Sequence, residues 1–376
     1  MEERPGAENC IGPDISDFFR GEYPFNYEEQ LVGDHSEKLK QIFQREIIPP
    51  LHFEILPTEI CNLECVWCRG GHRDYMKSTQ ELSQNRLEEL MQELKDYGIE
   101  GIVRFSGMSG EPLVNKGTLP AIKKGIDLGL KVGLITNGIL LDESTHKYLD
   151  GMEYVSISLD AGTEKKYNML KGAKTAGTFD KVLDNLEALV KFRNSRTKKF
   201  RITTSYMLHP NNVFDLKQAA QIVKNVGADA FQVKIPFCGP SFTPHLREIA
   251  LLDLRYIERK SDKKFRVMQM QSDEELELGF KGITKPIYFP RCYAQLLNGV
   301  VSADGNVYPC VHHDYNGDVI SGYSIGSIKE KKFREIWEDP ARKMVIEGIT
   351  PRKHCEMCNR YDFRMNNFLN AISQTF

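Results

Sequence analysis

Seven of the nine cysteines in this 376-residue chain fall into two groups, Cys61, Cys65 and Cys68 near the front and Cys292, Cys310, Cys355 and Cys358 near the end; Cys10 and Cys238 stand apart. Without a secretory signal the compartment reads as reducing, where clustered thiols bind metal rather than pair, and the odd total also argues against full disulfide pairing. A cubane iron–sulfur cluster takes four thiolates. The front group, in the stretch CNLECVWC, offers three. Three thiolates fill three irons and leave one coordination position open to a small chelating molecule. A zinc site with His72 as fourth ligand is the competing reading, although structural zinc sites usually come as paired Cys-x-x-Cys elements. The end group offers four thiolates, two bracketing a hairpin and two in CEMC, and so closes its site; a four-cysteine zinc ribbon is the rival there.

The elements around these residues are legible from periodicity. From Leu51 onward, short apolar strands alternate with amphipathic helices: LHFEILPT, then GIVRFSG, KVGLIT, YVSISLDA, FRITTSYML and AFQVKIPF, with a helical pattern after each of the first five. Ser83 is placed to cap the helix that buries Leu87, Leu90, Met91 and Leu94, and Gly98 to stop it. Strands separated by helices imply parallel pairing with right-handed crossovers, and six such units predict an α/β fold built on a (β/α)6 partial barrel. The organisation reads as an N-terminal arm over 1–48, the barrel over 49–238, a connecting segment over 239–291, a small α+β cysteine-bearing domain over 292–365, and a tail over 366–376. Asp304-Gly305 marks a hairpin whose two central residues both call for positive φ. Lys plus Arg total 50 against 52 Asp plus Glu, a formal net charge of −2 that supplies no field for nucleic acid or an anionic membrane. With no apolar run long enough to span a bilayer, the expected location is the cytoplasm.

The first cysteine group carries a resemblance. Cys61-Asn-Leu-Glu-Cys65-Val-Trp67-Cys68 after a first strand resembles the Cys-x-x-x-Cys-x-aromatic-Cys signature of radical S-adenosylmethionine (SAM) enzymes. In that family the open iron binds the amino and carboxylate groups of SAM, and an electron from the cluster cleaves it to methionine and a 5′-deoxyadenosyl radical. The resemblance implies a cofactor site built from Trp67, from Ser109-Gly110-Glu111-Pro112 after the second strand, whose backbone and acidic residue receive the methionine amino group, from Thr136 and Asn137 after the third, and from Ser158 and Asp160 at the end of the fourth, the last two elements matching positions of ribose contact. All four elements fall at strand C-termini, where catalytic groups of parallel barrels gather. Glycines 107, 110 and 138 would permit close backbone approach to a ligand. Asp304-Gly-Asn-Val-Tyr-Pro-Cys310, followed by Ile325-Gly-Ser-Ile328 and Phe333-Arg-Glu-Ile-Trp337, resembles the SPASM/twitch extension of the same family, and four cysteines suit the twitch form with one auxiliary cluster. The implied cofactors are SAM and two [4Fe-4S] clusters, supplied by an external one-electron reductant such as flavodoxin or ferredoxin.

Such a radical takes hydrogen from an unactivated C–H bond. Cys238, just past the sixth strand, is the candidate hydrogen donor, and Lys234 on that strand the candidate proton handler. The resemblance to twitch enzymes acting on aminocyclitols and aminoglycosides implies a sugar, cyclitol or similar polyol. Epimerisation with Cys238 as donor is the first expectation and two-electron dehydrogenation through the auxiliary cluster the alternative. Maturation of a ribosomal peptide is a third reading and a non-enzymatic metal-binding module a fourth.

Overall fold

The computed structural model describes residues 35–44, 46–68, 79–108, 110–236, 239–312, 323–355 and 357–373. Two of the candidate residues, Ser109 and Cys238, lie outside the described residues, as do Cys10 and His72.

The parallel sheet expected from the alternating pattern is present and runs further than six strands. β1 (His52–Ile55), β2 (Ile102–Phe105), β3 (Lys131–Thr136), β4 (Tyr154–Ser158), β5 (Arg201–Met207) and β6 (Ala230–Lys234) pair in sequence order, each parallel to the next. β7 (Arg266–Gln269), in the stretch read as a connecting segment, adds parallel to β6. β8 (Asn298–Val301), from the cysteine-bearing C-terminal region, adds parallel to β1 on the opposite edge. β9 (Asn306–Tyr308) and β10 (Gly326–Ser327) continue antiparallel from β8, giving a ten-stranded order β10-β9-β8-β1-β2-β3-β4-β5-β6-β7. The repeat of strand and helix predicted the six central strands. It does not extend to the four outer strands, of which β8 joins β1 across more than 240 residues of sequence.

Local chemistry explains the helices between them. Ser83 Oγ accepts the Arg86 N–H at the start of Gln84–Tyr97, and Gly98 closes that helix at φ +91°. Its Leu87, Leu90, Met91 and Leu94 are buried against the sheet, as their spacing requires. Thr163 caps Glu164–Lys171, and Thr243 with Pro244 opens Pro244–Glu258. Along β5 and β6 the apolar side chains Ile202, Phe231 and Val233 are buried in the core, while Thr203, Gln232 and Lys234 line the barrel interior.

Two local expectations are revised. The hairpin between β8 and β9 turns through Ser302–Gly305, closed by Gly305 N–H to Ser302 O (2.9 Å); Gly305 alone takes positive φ (+86°), so Asp304 keeps an ordinary backbone and its carboxylate instead accepts from Asn306 and Tyr308. The tail over 366–376 is, through Ile372, part of a helix Arg360–Ile372 with Asn366, Phe368 and Leu369 buried. That helix shares one core with Leu39 and Ile42 of Ser36–Phe43, the described part of the arm, and with Tyr293 and Leu297. Trp337 locks the C-terminal region to the barrel: its ring is buried, its Nε1–H donates to Ile48 O (2.8 Å), and the Arg342 guanidinium lies 3.7 Å over it. Gly299 on β8 leaves room there, since a Cβ would come within 2.8 Å of both Phe53 and Trp337 atoms.

Candidate active site and cluster-binding loops

The loop leaving β1 carries the first three cysteines and is pinned from three sides. Glu111 N–H donates to Ile60 O (2.9 Å), Glu64 N–H to Lys171 O (3.0 Å), and Val66 N–H to Leu170 O (2.9 Å); Cys68 N–H turns back onto Cys65 O. The loop is thereby fastened to the C-terminal end of Glu164–Lys171 and to the turn after β2. Cys61 is exposed and Cys65 and Cys68 are half-buried. Although the residue as a whole is exposed, desolvation of its sulfur pushes the Cys61 thiol up to about 11, opposed by the Leu63 N–H and reinforced by Glu111, Cys65 and Cys68. Burial also raises Cys65, opposed chiefly by Lys171. Metal binding replaces the protons of such thiols, so the raised Cys61 and Cys65 couple cluster loading to proton release. The donor set fits three irons of a cluster with one position left open.

Around this loop the structure assembles the strand-end residues singled out from sequence, and shows how they hold one another. Glu111 is buried, and both its oxygens are occupied: Oε1 accepts from Thr136 Oγ1 (2.6 Å) and Leu113 N–H, and Oε2 from Asn137 N–H (2.8 Å). Its carboxyl is raised by burial, against these hydrogen bonds. Asn137 Nδ2 donates to Asn62 Oδ1 (2.7 Å), so the turn after β3 is tied directly to the cysteine loop. Gly107 and Gly110 stand hard against neighbouring backbone. A Cβ on Gly107 would lie 1.7 Å from Gly110 O, and one on Gly110 would lie 2.0 Å from Thr58 O. Gly138 takes φ +83° in the turn that follows.

Ser158 and Asp160 end β4. Ser158 Oγ meets Ser205 Oγ at 3.4 Å. Asp160 is held at φ +62°, a conformation costing a non-glycine residue about 1–2 kcal/mol. Its Oδ1 accepts from Met207 N–H (2.7 Å) and its Oδ2 from Lys171 Nζ (2.6 Å), so both carboxylate oxygens already bind protein donors. Lys171 also donates to Ser158 O (3.0 Å); burial opposes its charge, but Asp160, Cys65 and Tyr167 together more than offset that and raise it. Asn212 Nδ2 bridges Asp160 O and Met207 O, and its Oδ1 accepts His209 N–H. His209 in turn stacks on Trp67, ring centroids 5.8 Å apart. The sequence reading missed Lys171, Asn212 and His209. None lies in a motif, and only the fold brings α-helix, strand end and cysteine loop together.

The second cysteine group converges as expected. Cys292, Cys310, Cys355 and Cys358 line one small cavity. Burial pushes Cys292 up to about 12 and Cys355 to about 11, and also raises Cys310 and Cys358 well above the ordinary thiol value. Two sulfurs receive N–H donors that would suit bound thiolates, His312 N–H on Cys310 and Asn366 Nδ2 on Cys292, each at 3.4 Å. Four convergent thiols with such donors fit a closed cluster.

The barrel lumen is a cavity of about 1120 Å³ that reaches Cys310 of the second group. Glu54, Arg104, Ser156, Gln232 and Lys234 line it from the strands, and Asp362 and Cys310 line it from the C-terminal region. Glu54 accepts from both Arg104 and Ser106. Asp362 also lines the four-cysteine cavity, so its carboxylate stands in the wall between the two spaces. It accepts from Asn298 (2.7 Å) and Asn359, and burial raises it to about 6. Lys234 is pushed down to about 8, first by burial and then by Arg360.

Among the described residues, no helix is long and apolar enough to cross a membrane. The Radical SAM superfamily model matches residues 55–223, and the SPASM iron-sulfur cluster-binding domain matches 292–359. The chain is similar to the AdoMet-dependent heme synthase of Methanosarcina barkeri, 28% identical with 75% of this chain and 80% of that one covered. It is similar in fold to Streptococcus suis SuiB bound to S-adenosylmethionine, at 18% identity and TM-score 0.60, with 91% of this chain and 78% of that one covered. It is likewise similar in fold to anSMEcpe with bound AdoMet, at 20% identity and TM-score 0.55, with 87% and 100% covered. SAM and iron–sulfur clusters are therefore its cofactors, and the chain belongs to the radical SAM superfamily, as an enzyme with a C-terminal SPASM domain.

Proposed function

We propose that this enzyme oxidises a carbinol carbon of a small sugar, cyclitol or related polyol seated in the barrel lumen. When bound, the cofactors supply a hydrogen-abstracting radical at the strand ends and a one-electron acceptor at the four-cysteine site. The observation that carries the reading is Asp362: one carboxylate borders both the lumen and the four-cysteine cavity. Bound cofactors would take up the carbinol hydrogen atom and the remaining electron; Asp362 would accept the hydroxyl proton, and Cys310, which lines the lumen as well as the four-cysteine cavity, would help hold the electron-accepting cluster. The balance is an alcohol converted to a ketone. The four lumen strands contribute Ser156, Gln232 and the Glu54–Arg104 pair to orient hydroxyl groups.

On this reading Glu111, Thr136 and Asn137 position the cofactor through the turn they brace, and Asp160 with Lys171 holds the end of β4 for the ribose side. Trp67, Ser109, Gly110 and Ser158 complete that cofactor site, Cys61, Cys65 and Cys68 hold the open cluster, and the four C-terminal cysteines the closed one. An external one-electron reductant such as flavodoxin or ferredoxin feeds the cycle. Epimerisation through Cys238, the first expectation from sequence, ranks second here because a proton acceptor, Asp362, and a ligand of the closed cluster, Cys310, line the same cavity.

A second reading follows from the heme synthase relative: a heme-type macrocycle as substrate, which the lumen volume also supports. The test is anaerobic turnover of reconstituted enzyme with SAM and reductant against polyols, heme precursors and peptides in heavy water. Product two mass units lighter, from a polyol only, is the expected result. Deuterium retained at an inverted carbon would establish epimerisation instead, and turnover of a macrocycle or peptide alone would displace the polyol.

A further inference from the structure

Lys234 is an anomaly among the cations of the barrel interior. Arg104 pairs with Glu54, Arg193 with Asp229, Lys171 with Asp160, and Arg360 donates to Ile235 O. Lys234 Nζ has no hydrogen-bond acceptor and no ion-pair partner among the described residues, although it lines the lumen at the C-terminal end of β6. The acidic charge that acts on it, Asp160, already binds Lys171, while Arg360 and Arg104 act on it as like charges. A cation placed beside other cations in a desolvated cavity is costly unless an anion completes it. Thr203 lines the same cavity, and its buried Oγ1 has no hydrogen-bond partner among the described residues, offering a second donor.

We propose that the substrate is an acid, a carboxylate or phosphate ester, whose anionic group binds Lys234 Nζ in the lumen. This rests on the lumen being the substrate site and narrows the substrate class within it. The depressed pKa of about 8 agrees, since burial and then Arg360 disfavour the charge yet leave most of the amine charged at neutral pH. Charge-assisted hydrogen bonds of this kind change affinity by roughly tenfold to a hundredfold.

Competitive acylation tests the proposal without turnover. Reconstituted enzyme with SAM is treated with acetic anhydride in inorganic phosphate, in malonate, or in chloride at matched ionic strength, and each lysine is followed by peptide mass spectrometry. Acylation of Lys234 is expected to slow several-fold in phosphate or malonate, while exposed Lys116 does not change. The more protective anion distinguishes ester from carboxylic acid. No slowing at Lys234, or equal slowing at Lys116, overturns the proposal. In a second arm, the thermal stabilisation given by the protective anion should be lost in Lys234→Met and kept in Lys234→Arg; stabilisation undiminished in Lys234→Met also overturns it. Protection of Lys234 in an enzyme that oxidises no alcohol would sink the oxidation reading and leave the anion site standing.

Discussion

Replacing Lys171 by Met should destabilise this protein out of proportion to the one contact removed. The Lys171 and Asp160 side chains are 3% and 4% exposed, and Nζ lies 2.6 Å from Oδ2. Deleting the ammonium leaves a carboxylate in the same desolvated place, still accepting from Met207 N–H but lacking a counter-charge. Breaking a buried pair from one side costs about 3–5 kcal/mol. Asp160→Asn strands the ammonium instead and should cost a similar amount. The double variant removes both charges, so it should cost less than the sum of the two, with a coupling energy of at least about 2 kcal/mol. The effect should also reach the first cluster, because Lys171 O and Leu170 O receive the Glu64 and Val66 N–H groups of the cysteine loop. Urea unfolding followed by circular dichroism gives the stabilities, and iron lost to a chelator over time gives the loop. Additive single effects, or a Lys171→Met cost below about 1 kcal/mol, would refute the electrostatic argument.

His52 is pushed from 6.5 down to about 3, chiefly by burial and then by Arg104, and its Nδ1 accepts Ile102 N–H. Its folded pKa lies below its unfolded one, so the stability it contributes is intact above 6.5 and is lost as pH falls toward 3. The loss should approach about 1.4 kcal/mol per pH unit, and unfolding curves of His52→Gln should show that acid-side slope reduced. Gly110→Ala places a Cβ 2.0 Å from Thr58 O, backbone that has no rotamer to yield; a loss of at least about 2 kcal/mol should appear in thermal melts. Cys355→Ala opens the four-thiol site, and reconstituted iron should fall from about eight to about four per chain while the SAM-induced change in the spectrum of the reduced first cluster persists.

The sequence by itself determined the chemistry. Three thiols on one short loop and four in one C-terminal unit state cluster binding in residue types and spacing, and the alternation of apolar strands with capped helices states a parallel sheet. Those signals are local, so they survive being read along the chain. What only the tertiary structure decided is long-range. β8 joins β1, the arm and the tail share a core, and both Asp160 oxygens turn inward to Lys171 and Met207. Asp362 came to stand between two cavities because the helix that carries it packs across the lumen from strands more than 120 residues earlier in the chain. No periodicity encodes such meetings, since they depend on which surfaces remain to be buried once the local elements have formed.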